Sequence, residues 1–419
     1  MKVAVVGAGS TYTPELVEGF VRRAERFPID ELALLDVDPD RLEVVGGLAR
    51  RMLERAGYGG RLALTGDRVE AIDGASYVIV QLRVGGQAAR LLDETIPLQF
   101  GCVGQETTGP GGFAKALRTV PVVLELAELV AHRGAPGAWF LDFTNPTGLV
   151  TQALLDEGHR AIGLCNVAIN FQRRFAARFG VEPERVQLEH DGLNHLSWER
   201  AVLVDGVDRL PELLRTDLKA ISDEVSMPPE LIRALGAIPS YYLRYYYLTA
   251  EVLEHQRSER PRAEEVMEIE KGLLALYGDQ GLDHKPELLE RRGGAYYSEA
   301  AAQLVASLAS GGGDVQVVNV RNDGAIPTLA PDDVVEVAAR IDGDGAHPLP
   351  VAALAPELLG LVQHAKAYER LAAAAATTGD RGLALKALLA NPLVGDYPTA
   401  SGLLEAILSA NRDHLPRFA

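Results

Sequence analysis

The first 165 residues alternate short apolar runs with segments of helical periodicity. The apolar runs cover residues 3–7, 32–36, 77–82, 139–143 and 161–164. Runs of this length, separated by amphipathic helical segments, are typical of parallel βαβ units. The pattern therefore predicts an α/β fold that begins with a Rossmann-like, doubly wound parallel sheet.

The segment after the first apolar run predicts the first crossover helix. Thr13 is placed to cap its N-terminus, and Pro14 takes the first helical position, where a missing N–H costs nothing. Apolar residues then recur with helical spacing at positions 16, 17, 20, 21 and 24. We expect this face of the helix to pack on the sheet.

After about residue 170 the pattern changes to mixed strands, such as 201–204 and 315–320, and long helices, such as 263–277. A chain of 419 residues is longer than one hydrophobic core usually serves. We therefore expect two domains, residues 1–170 and an α+β substrate domain over residues 171–419. The alanine run 372–376 is expected to extend a C-terminal helix.

Composition and charge restrict the partners. With 47% apolar and 24% charged residues, the chain is expected to fold into a globular structure. Its net charge of −17 repels phosphate backbones and anionic membranes, so we expect neither nucleic acid nor membrane as a partner. A small anionic substrate is still compatible with this charge, because a few arginines can reverse the field inside a cleft.

The chain has two cysteines, Cys102 and Cys165, too few for a disulfide scaffold. It begins directly with a predicted strand rather than a leader, and no segment approaches the ~20 apolar residues of a membrane span. We expect a cytoplasmic protein that forms a homo-oligomer, either a dimer or a tetramer.

A glycine turn follows the first predicted strand. Gly7 and Gly9, with Ser10 and Thr11 after them, stand where the backbone N–H groups of a Rossmann-like turn bind a pyrophosphate. Tyr12 replaces the third glycine of the usual motif, and the alternative is an ordinary tight turn.

Asp36 ends the second predicted strand, where a carboxylate binds a ribose 2′-OH and repels a 2′-phosphate. This position favours NAD over NADP. Alternatively, Asp36 is a turn carboxylate near Pro39.

Several segments of different chemical type occur in one order along almost the whole chain. They are Gly9-Ser-Thr-Tyr-Thr-Pro-Glu-Leu16, Gly104-Gln-Glu-Thr-Thr-Gly109, Thr144-Asn-Pro-Thr-Gly148, Cys165-Asn-Val167, Gly192-Leu-Asn-His195, Ile238-Pro239, Tyr242-Leu-Arg-Tyr245, Gly293-Gly-Ala-Tyr-Tyr297 and Asn322-Asp-Gly-Ala-Ile-Pro327. With these segments the chain resembles glycoside hydrolase family 4. The resemblance implies an NAD-binding Rossmann-like domain, an α+β substrate domain and a Mn²⁺ or similar ion that binds sugar hydroxyls.

Two positions depart from the family pattern. Ala168 stands where the Cys-Asn-Val segment is expected to continue with proline, and Ser240 stands where a cysteine is expected. Neither change removes a proposed catalytic group, but both affect the expected shape of the pocket.

The resemblance implies that Cys165 and His195 bind the metal ion, although a lone cysteine is more often core filler. It also implies a substrate contact and a catalytic role for Asn166. An Asn at this position resembles the family members that act on β-linked phosphoglucosides, whereas Asp resembles those that act on α-linked ones. A neutral amide cannot protonate a leaving group.

By the same resemblance, Tyr242 is the base that removes a proton from sugar C2. The structural alternative for the tyrosine-rich stretch 241–247 is an aromatic helix face packed on the core. A phenol with an ordinary pKa of about 10 needs a nearby cation to act as a base. Arg262 is a candidate for this cation and for substrate binding, or else a solvated surface charge.

Arg90 and Asn145 are expected at the same edge of the sheet as substrate contacts, and Arg83 is a further candidate. Asn145 alternatively closes a loop before Pro146.

The resemblance implies a redox-assisted elimination, which departs from the usual two-carboxylate scheme of glycosidases. NAD⁺ takes hydride from C3, Tyr242 deprotonates C2 while the metal stabilises the enediolate charge, and the C1 substituent leaves. Water then adds at C1 and the hydride returns to C3. The expected substrate is a 6-phospho-β-glucoside.

Three alternatives remain at this point. The fold and the Thr-Asn-Pro segment would also serve a lactate or malate dehydrogenase-like 2-hydroxyacid oxidoreductase. A glycosidase of the same family that acts on α-linked or non-phosphorylated sugars is the second. The third is an NAD-binding sensor without catalysis, against which the presence of Cys165, His195 and Tyr242 argues.

Overall fold

The computed structural model describes residues 1–292 and 296–418, without the side chain of residue 297. Its strands form one continuous sheet with the order β10-β8-β7-β12-β11-β6-β5-β4-β1-β2-β3, and β9 and β13 extend it beside β8 and β12. The strands are β1 Lys2–Val6, β2 Glu31–Leu35, β3 Arg61–Thr65, β4 Tyr77–Val80, β5 Trp139–Asp142, β6 Ala161–Gly163, β7 Val186–Leu193, β8 Leu196–Val204, β9 Val207–Asp208, β10 Ile238–Pro239, β11 Asp314–Arg321, β12 Val334–Asp342 and β13 Gly345–Pro348.

The first six strands form the predicted parallel sheet in the order β3-β2-β1-β4-β5-β6. This is the doubly wound Rossmann order, in which ligands bind where the order reverses, between β1 and β4. The Rossmann-like part of the predicted fold is confirmed. All five predicted apolar runs form strands, and each strand ends one or two residues earlier than predicted because turns begin there.

Helices cover both faces of this parallel part. They are α1 Thr13–Val21, α2 Pro39–Arg55, α3 Arg68–Ile72, α4 Gly86–Gln99, α5 Gly109–Arg133, α6 Thr147–Asp156 and α7 Val167–Phe179.

The predicted cap of α1 is wrong. Tyr12 occupies the N-cap position, and its side chain makes no capping hydrogen bond. Thr13 is the first helical residue and is fully buried. Its hydroxyl donates to the carbonyl of Ala8 at 2.8 Å and accepts from the Gln81 amide at 2.9 Å. The threonine therefore ties the glycine turn to the loop after β4. Pro14 is the second helical residue rather than the first, and the predicted apolar face is buried at Leu16, Val17 and Phe20, whereas Ala24 is exposed beyond the end of the helix.

The second part of the chain continues the sheet with antiparallel strands. Residue Asn319 of β11 pairs with Gly163 of β6, and β12, β7 and β8 follow in antiparallel register. The helices of this part are α8 Leu210–Thr216, α9 Leu218–Val225, α10 Pro229–Leu235, α11 Arg244–Tyr247, α12 Thr249–Ser258, α13 Arg262–Tyr277, α14 Tyr297–Ser310, α15 Pro356–Thr378, α16 Arg381–Leu389 and α17 Tyr397–Ala410. The predicted α+β character is confirmed, and the alanine run 372–376 lies in α15.

The C-terminal helices return to the parallel part of the sheet. Helix α15 packs on α5 and α6, and α17 packs on α4 and α5. One buried apolar cluster joins them, with Val78 and Phe113 from the first part and Ala375 and Leu403 from the last. The division at residue 170 stays a prediction, and the sheet runs through it. None of the helices in the described residues is long and apolar enough to span a membrane.

Candidate active site

A cavity of about 1350 Å³ opens at the carboxyl ends of the parallel strands. Its wall includes residues that follow these strands: Gly7 after β1, Asp36 after β2, Gln81 after β4, Asn145 after β5 and Asn166 after β6. Its other side is lined by residues of α4, by residues 104–107 before α5 and by residues of the tyrosine-rich stretch 241–247. Open α/β sheets bind ligands at this edge, beside the point where strand order reverses.

The glycine turn lies at one end of the cavity. Gly7 has a φ of +83°, and a Cβ on it would come within 2.9 Å of the Gln81 carbonyl oxygen. A Cβ on Gly9 would lie 2.8 Å from the Asp36 carboxylate. Gly7 therefore requires glycine, a side chain on Gly9 would displace Asp36, and both glycines line the cavity where a pyrophosphate fits. Ser10 lines the cavity beside them.

Asp36 faces the cavity from the end of β2. Its carboxylate accepts from the backbone N–H of Gly9 at 2.6 Å and from that of Asp38 at 3.0 Å. It thus orders the glycine turn as well as standing where a ribose is expected. Thr11 is fully buried behind the turn, and its carbonyl accepts from the Tyr277 hydroxyl at 2.7 Å.

Ionic contacts join the glycine turn to α13. Arg41 donates to the Gly9 carbonyl at 3.1 Å, and Arg292 packs over the Tyr12 ring at 4.2 Å. Both arginines pair with Glu270. Burial opposes the charge of Glu270, but Arg292 and Arg41 outweigh it and lower the pKa of this carboxyl. This end of the cavity therefore holds cations beside the predicted pyrophosphate position.

Cys165 is buried where β6 leads into α7. Burial and the negative charge of Glu336 raise the pKa of its thiol well above the usual value. The backbone N–H groups of Asn166 and Val167 and the side chain of Asn194 hydrogen-bond the sulfur and favour the thiolate. The sulfur thus has hydrogen-bond donors that suit a thiolate, but the thiol needs a nearby positive charge to ionise.

His195 lies in the turn between β7 and β8 with a φ of +61°, an uncommon conformation for a non-glycine residue. Its Nδ1 is 3.0 Å from the Thr107 hydroxyl, which leaves Nε2 available to a ligand. Burial lowers the pKa of His195 to about 4. The imidazole is therefore neutral at pH 7, the form that binds a metal ion.

Tyr242 stacks on His195, with ring centroids 3.6 Å apart and planes 5° from parallel. Burial and the negative charge of Cys165 raise the pKa of its phenol well above 10. The structure thus brings Tyr242, His195 and Cys165 together although they come from three distant segments. The alternative of an aromatic face packed on the core holds for part of the tyrosine-rich stretch, since Tyr246 and Tyr247 pack against the apolar core.

The thiolate and imidazole donors of Cys165 and His195 fit a divalent metal ion of the Zn²⁺ type, and oxygen ligands at the other positions suit Mn²⁺. Within the described residues, no group of three or more His, Cys, Asp or Glu side chains is arranged to hold a metal. A thiolate and a neutral imidazole therefore leave the remaining coordination positions to water or substrate oxygens.

A cluster of cations surrounds Glu106 on the cavity wall. Arg83 is paired with Glu106, and the Lys115 Nζ donates to it at 2.7 Å. Arg90 donates to Glu94 at 2.7 Å and lies 3.4 Å from Glu106. Burial opposes the charge of Glu106, but Arg83, Lys115 and Arg90 lower its pKa well below the usual value. Burial lowers the pKa of Lys115 to about 7, so this wall holds two charged arginines and a partly charged lysine against two carboxylates.

The other predicted substrate residues also line the cavity. Asn145 and Asn166 line it after β5 and β6. Arg262 lies at its rim, where it pairs with Glu265 and donates to the carbonyl of Arg291 at 3.1 Å. The predicted role of Arg262 as the cation beside Tyr242 stays a prediction.

Four further residues line the cavity without a role predicted from the sequence, namely Glu106, Thr107, Lys115 and Arg244. Arg244 packs over Tyr241 at 4.1 Å. Glu106, Thr107 and Arg244 stand within the segments quoted for the family resemblance, so position within a family motif was the available signal. Lys115 carried no such signal.

Ala168 and Ser240 are both buried, and neither belongs to the cavity wall in the part of the chain that the structure describes. Of the segment Gly293-Gly-Ala-Tyr-Tyr297, residues Gly293, Gly294 and Ala295 lie outside the described residues.

Comparison with known proteins gives two adjoining family matches. The model of the family 4 glycosyl hydrolases matches residues 2–181, and that of the family 4 glycosyl hydrolase C-terminal domain matches residues 190–394. The chain is 42% identical, over 100% of its length and 98% of the relative's, to a Bacillus subtilis (strain 168) protein named "Probable 6-phospho-beta-glucosidase". It is 29% identical to a phospho-alpha-glucosidase of Clostridium acetobutylicum, with 98% of each chain covered.

Among solved structures, the chain is similar to the 6-phospho-beta glucosidase from Thermotoga maritima with manganese, NAD⁺ and glucose-6-phosphate. The TM-score is 0.92, the identity is 37%, and 99% of each chain is covered.

Proposed function

Because this chain belongs to family 4 of the glycosyl hydrolases, we propose that it hydrolyses 6-phospho-β-glucosides with the aid of NAD and a divalent metal ion, preferably Mn²⁺. One observation carries the proposal. Tyr242 lines the same cavity as the glycine turn after β1, and its ring stacks on His195, which lies buried behind the cavity wall with Cys165. A proposed base and a nucleotide site thus share one cavity, and the two proposed metal donors lie buried directly behind its wall.

Two facts support the β anomer. The relative named for a β-phosphoglucosidase shares more of its sequence with this chain than the relative named for an α-phosphoglucosidase. Asn166 lies in the cavity wall beside Cys165, and its neutral amide cannot act as the acid that protonates a leaving group. The β assignment therefore fits a leaving group that departs without a carboxylic acid at position 166.

Hydrolysis would proceed by elimination and addition. Bound NAD supplies the acceptor for hydride from C3 and later returns it, so that no net oxidation occurs. Oxidation at C3 acidifies the hydrogen at C2. The electron pair of the C2–H bond forms a C1–C2 double bond as the bond from C1 to the aglycone oxygen breaks. Water then adds at C1, and a proton returns to C2.

Tyr242 is the proposed base at C2, and Cys165 and His195 are the proposed metal ligands. The largest influences on the phenol within this chain all raise its pKa, so it does not ionise unaided at neutral pH. A divalent metal ion held by Cys165 and His195 supplies positive charge to the sugar oxygens and to this phenol. His195 orients the phenol by stacking, and the half-buried position of Tyr242 restricts competing water.

The 6-phosphate is proposed to bind the wall that holds Arg83, Arg90 and Lys115. Arginine forks suit phosphate geometry, and basic side chains gathered in a cleft locally oppose the repulsion expected from a net charge of −17. Asn145 and Arg262 are proposed as further substrate contacts. The homo-oligomeric state and the cytoplasmic location stay predictions.

A panel of nitrophenyl glucosides tests the proposal. It comprises α and β anomers, each with and without a 6-phosphate, assayed with NAD⁺ and Mn²⁺. We expect the phosphorylated β-glucoside to be hydrolysed far faster than the other three, with no accumulation of NADH. A preference for the α anomer contradicts the β assignment, and one NADH per product indicates a dehydrogenase instead.

A further inference from the structure

A buried polar network lies behind the candidate metal ligands. His190 of β7 lies between two carboxylates, with Nδ1 2.7 Å from Glu199 and Nε2 3.0 Å from Glu336. All three side chains are at most 1% exposed. Because each ring nitrogen faces a carboxylate oxygen, both nitrogens donate and the ring is an imidazolium. Two carboxylates and one imidazolium leave one net negative charge inside the sheet.

Glu336 connects this network to the ligands. Its second oxygen accepts from the Asn194 amide at 2.8 Å and from the Asn319 amide at 2.8 Å. Asn194 precedes His195 in the turn between β7 and β8, and its side chain also hydrogen-bonds the Cys165 sulfur. One carboxylate therefore orients the amide that contacts the thiol and restrains the turn that carries the imidazole.

The sheet is built to admit this network. Glu336 pairs across the strands with Asn319 of β11 and with Gly192 of β7, and Asn319 pairs with Gly163 of β6. Side chains at the two glycines would clash, since a Cβ on Gly163 comes within 2.9 Å of the Asn319 Cβ and one on Gly192 within 2.3 Å of the Leu196 carbonyl oxygen. These cross-strand pairs thus form a line from Gly163 of β6, two residues before Cys165, to Gly192, just before the turn that carries His195.

The energetics require a compensating positive charge. Charged groups buried in a protein cost free energy that packed apolar residues at the same positions would avoid. In the described part of the chain, His190 is the only cation paired with Glu336. The network therefore stabilises the fold no more than packed apolar residues would. Its negative charge instead complements a cation bound in front of it.

We propose that Glu336 is a positioning residue for the metal site: without touching the ion, it fixes the Asn194 amide against Cys165 and supplies the buried negative charge that balances a divalent cation. This inference rests on the metal ligands of the proposed function. Partners in the outer shell of a metal site fix the orientation and charge of the ligands, and their loss typically costs about 10- to 100-fold in affinity.

Glu336→Gln tests the inference because it keeps the shape of the side chain and removes its charge. The full chain is freed of metal with a chelator and titrated with Mn²⁺ by calorimetry. Co²⁺ serves as a second probe, since a bound thiolate gives a charge-transfer absorption. We expect Glu336→Gln to weaken Mn²⁺ binding by about 10- to 100-fold and to reduce the Co²⁺ band, with NAD binding retained.

Glu299→Gln is the matched control. Glu299 is a partly buried carboxylate that pairs with arginines, on α14 and outside the cavity wall. We expect this variant to bind Mn²⁺ as the wild type does. A Glu336→Gln chain that is less stable but binds Mn²⁺ with wild-type affinity has lost only a structural contact, and this result overturns the inference.

Should Glu336→Gln fail to fold, Asn194→Ala applies the same test to a half-buried turn residue, and wild-type affinity in that variant overturns the inference equally. Cys165→Ala separates the two proposals. If Cys165→Ala binds Mn²⁺ as tightly as the wild type, the metal ligands of the proposed function are wrong and the inference falls with them. If Cys165→Ala abolishes binding and Glu336→Gln does not weaken it, only the inference fails.

Discussion

Replacing Gly163 by alanine tests how the two parts of the sheet are joined. Gly163 is the residue of β6 that pairs with Asn319 of β11, where the parallel strands meet the antiparallel ones. An added Cβ would lie 2.1 Å from the Thr151 hydroxyl, 2.8 Å from the Thr147 methyl and 2.9 Å from the Asn319 Cβ. Unstrained carbon contacts are about 3.5–4.0 Å.

The magnitude follows from which neighbours can move. The Thr151 hydroxyl can rotate, but the Asn319 Cβ is fixed to the backbone of β11. The clash is therefore relieved only by separating β6 from β11. Overpacking of this kind costs about 1–3 kcal/mol, which exceeds the gain of about 0.4–1 kcal/mol that alanine brings by restricting the unfolded chain. Because Cys165 follows two residues later, Mn²⁺ affinity is expected to fall as well.

Urea unfolding measured by circular dichroism gives the change in stability. Gly360→Ala is the control, because Gly360 is exposed inside α15 and a Cβ there meets nothing within 4 Å. We expect the control to be stabilised by about 0.4–1 kcal/mol and Gly163→Ala, once the same gain is subtracted from the overpacking cost, to be destabilised by up to about 2.6 kcal/mol. A Gly163→Ala chain as stable as the control would refute the account of this junction.

Three further predictions concern the ligands, the cofactor and pH. Cys165→Ala is expected to lose nearly all activity and Mn²⁺ affinity; wild-type activity after chelator treatment would contradict the metal assignment. Asp36→Ser is expected to lower the preference for NAD over NADP by about tenfold or more, because the carboxylate that repels a 2′-phosphate is gone, and unchanged kcat/KM ratios would contradict this. Burial opposes the charge of His190, but Glu199 and Glu336 raise its pKa to about 10. Its stabilising effect is therefore complete below the unfolded pKa of about 6.5 and declines as pH rises towards 10, so the stability difference between the wild type and His190→Gln should shrink by about 2–3 kcal/mol from pH 7 to 9. A difference that does not change with pH would show that the histidine is not charged in the fold.

The sequence predicts the centre of the sheet better than its edges. Strands such as β4, with four consecutive buried apolar residues, stand out because both of their faces are covered. The pattern does not predict strand β3, because this edge strand has Arg61 exposed and only alternate residues buried. It does not predict strand β7 either, since Glu189, His190 and Asp191 interrupt the apolar pattern. These polar residues include part of the buried network, whose partners come from other strands.

The site was predictable only through the family resemblance. No spacing connects Cys165, His195 and Tyr242, which the fold brings together from the end of β6, the turn after β7 and the segment before α11. The roles of Lys115 and Glu336 were not predictable, because each depends on a partner in another element. A charged residue in a sequence does not reveal whether its partner lies in solvent, in a salt bridge or at a metal site.

The central claim is that the C2–H bond of the sugar breaks in every turnover, which direct displacement at C1 never requires. Hydrolysis of a 6-phospho-β-glucoside in D₂O measures this directly, with early time points and a control that contains only product. We predict deuterium at C2 of the released sugar phosphate, slower turnover of substrate deuterated at C2, and loss of activity with retained NAD binding in Tyr242→Phe. Protium alone at C2, no isotope effect and an active Tyr242→Phe enzyme would together contradict the elimination mechanism.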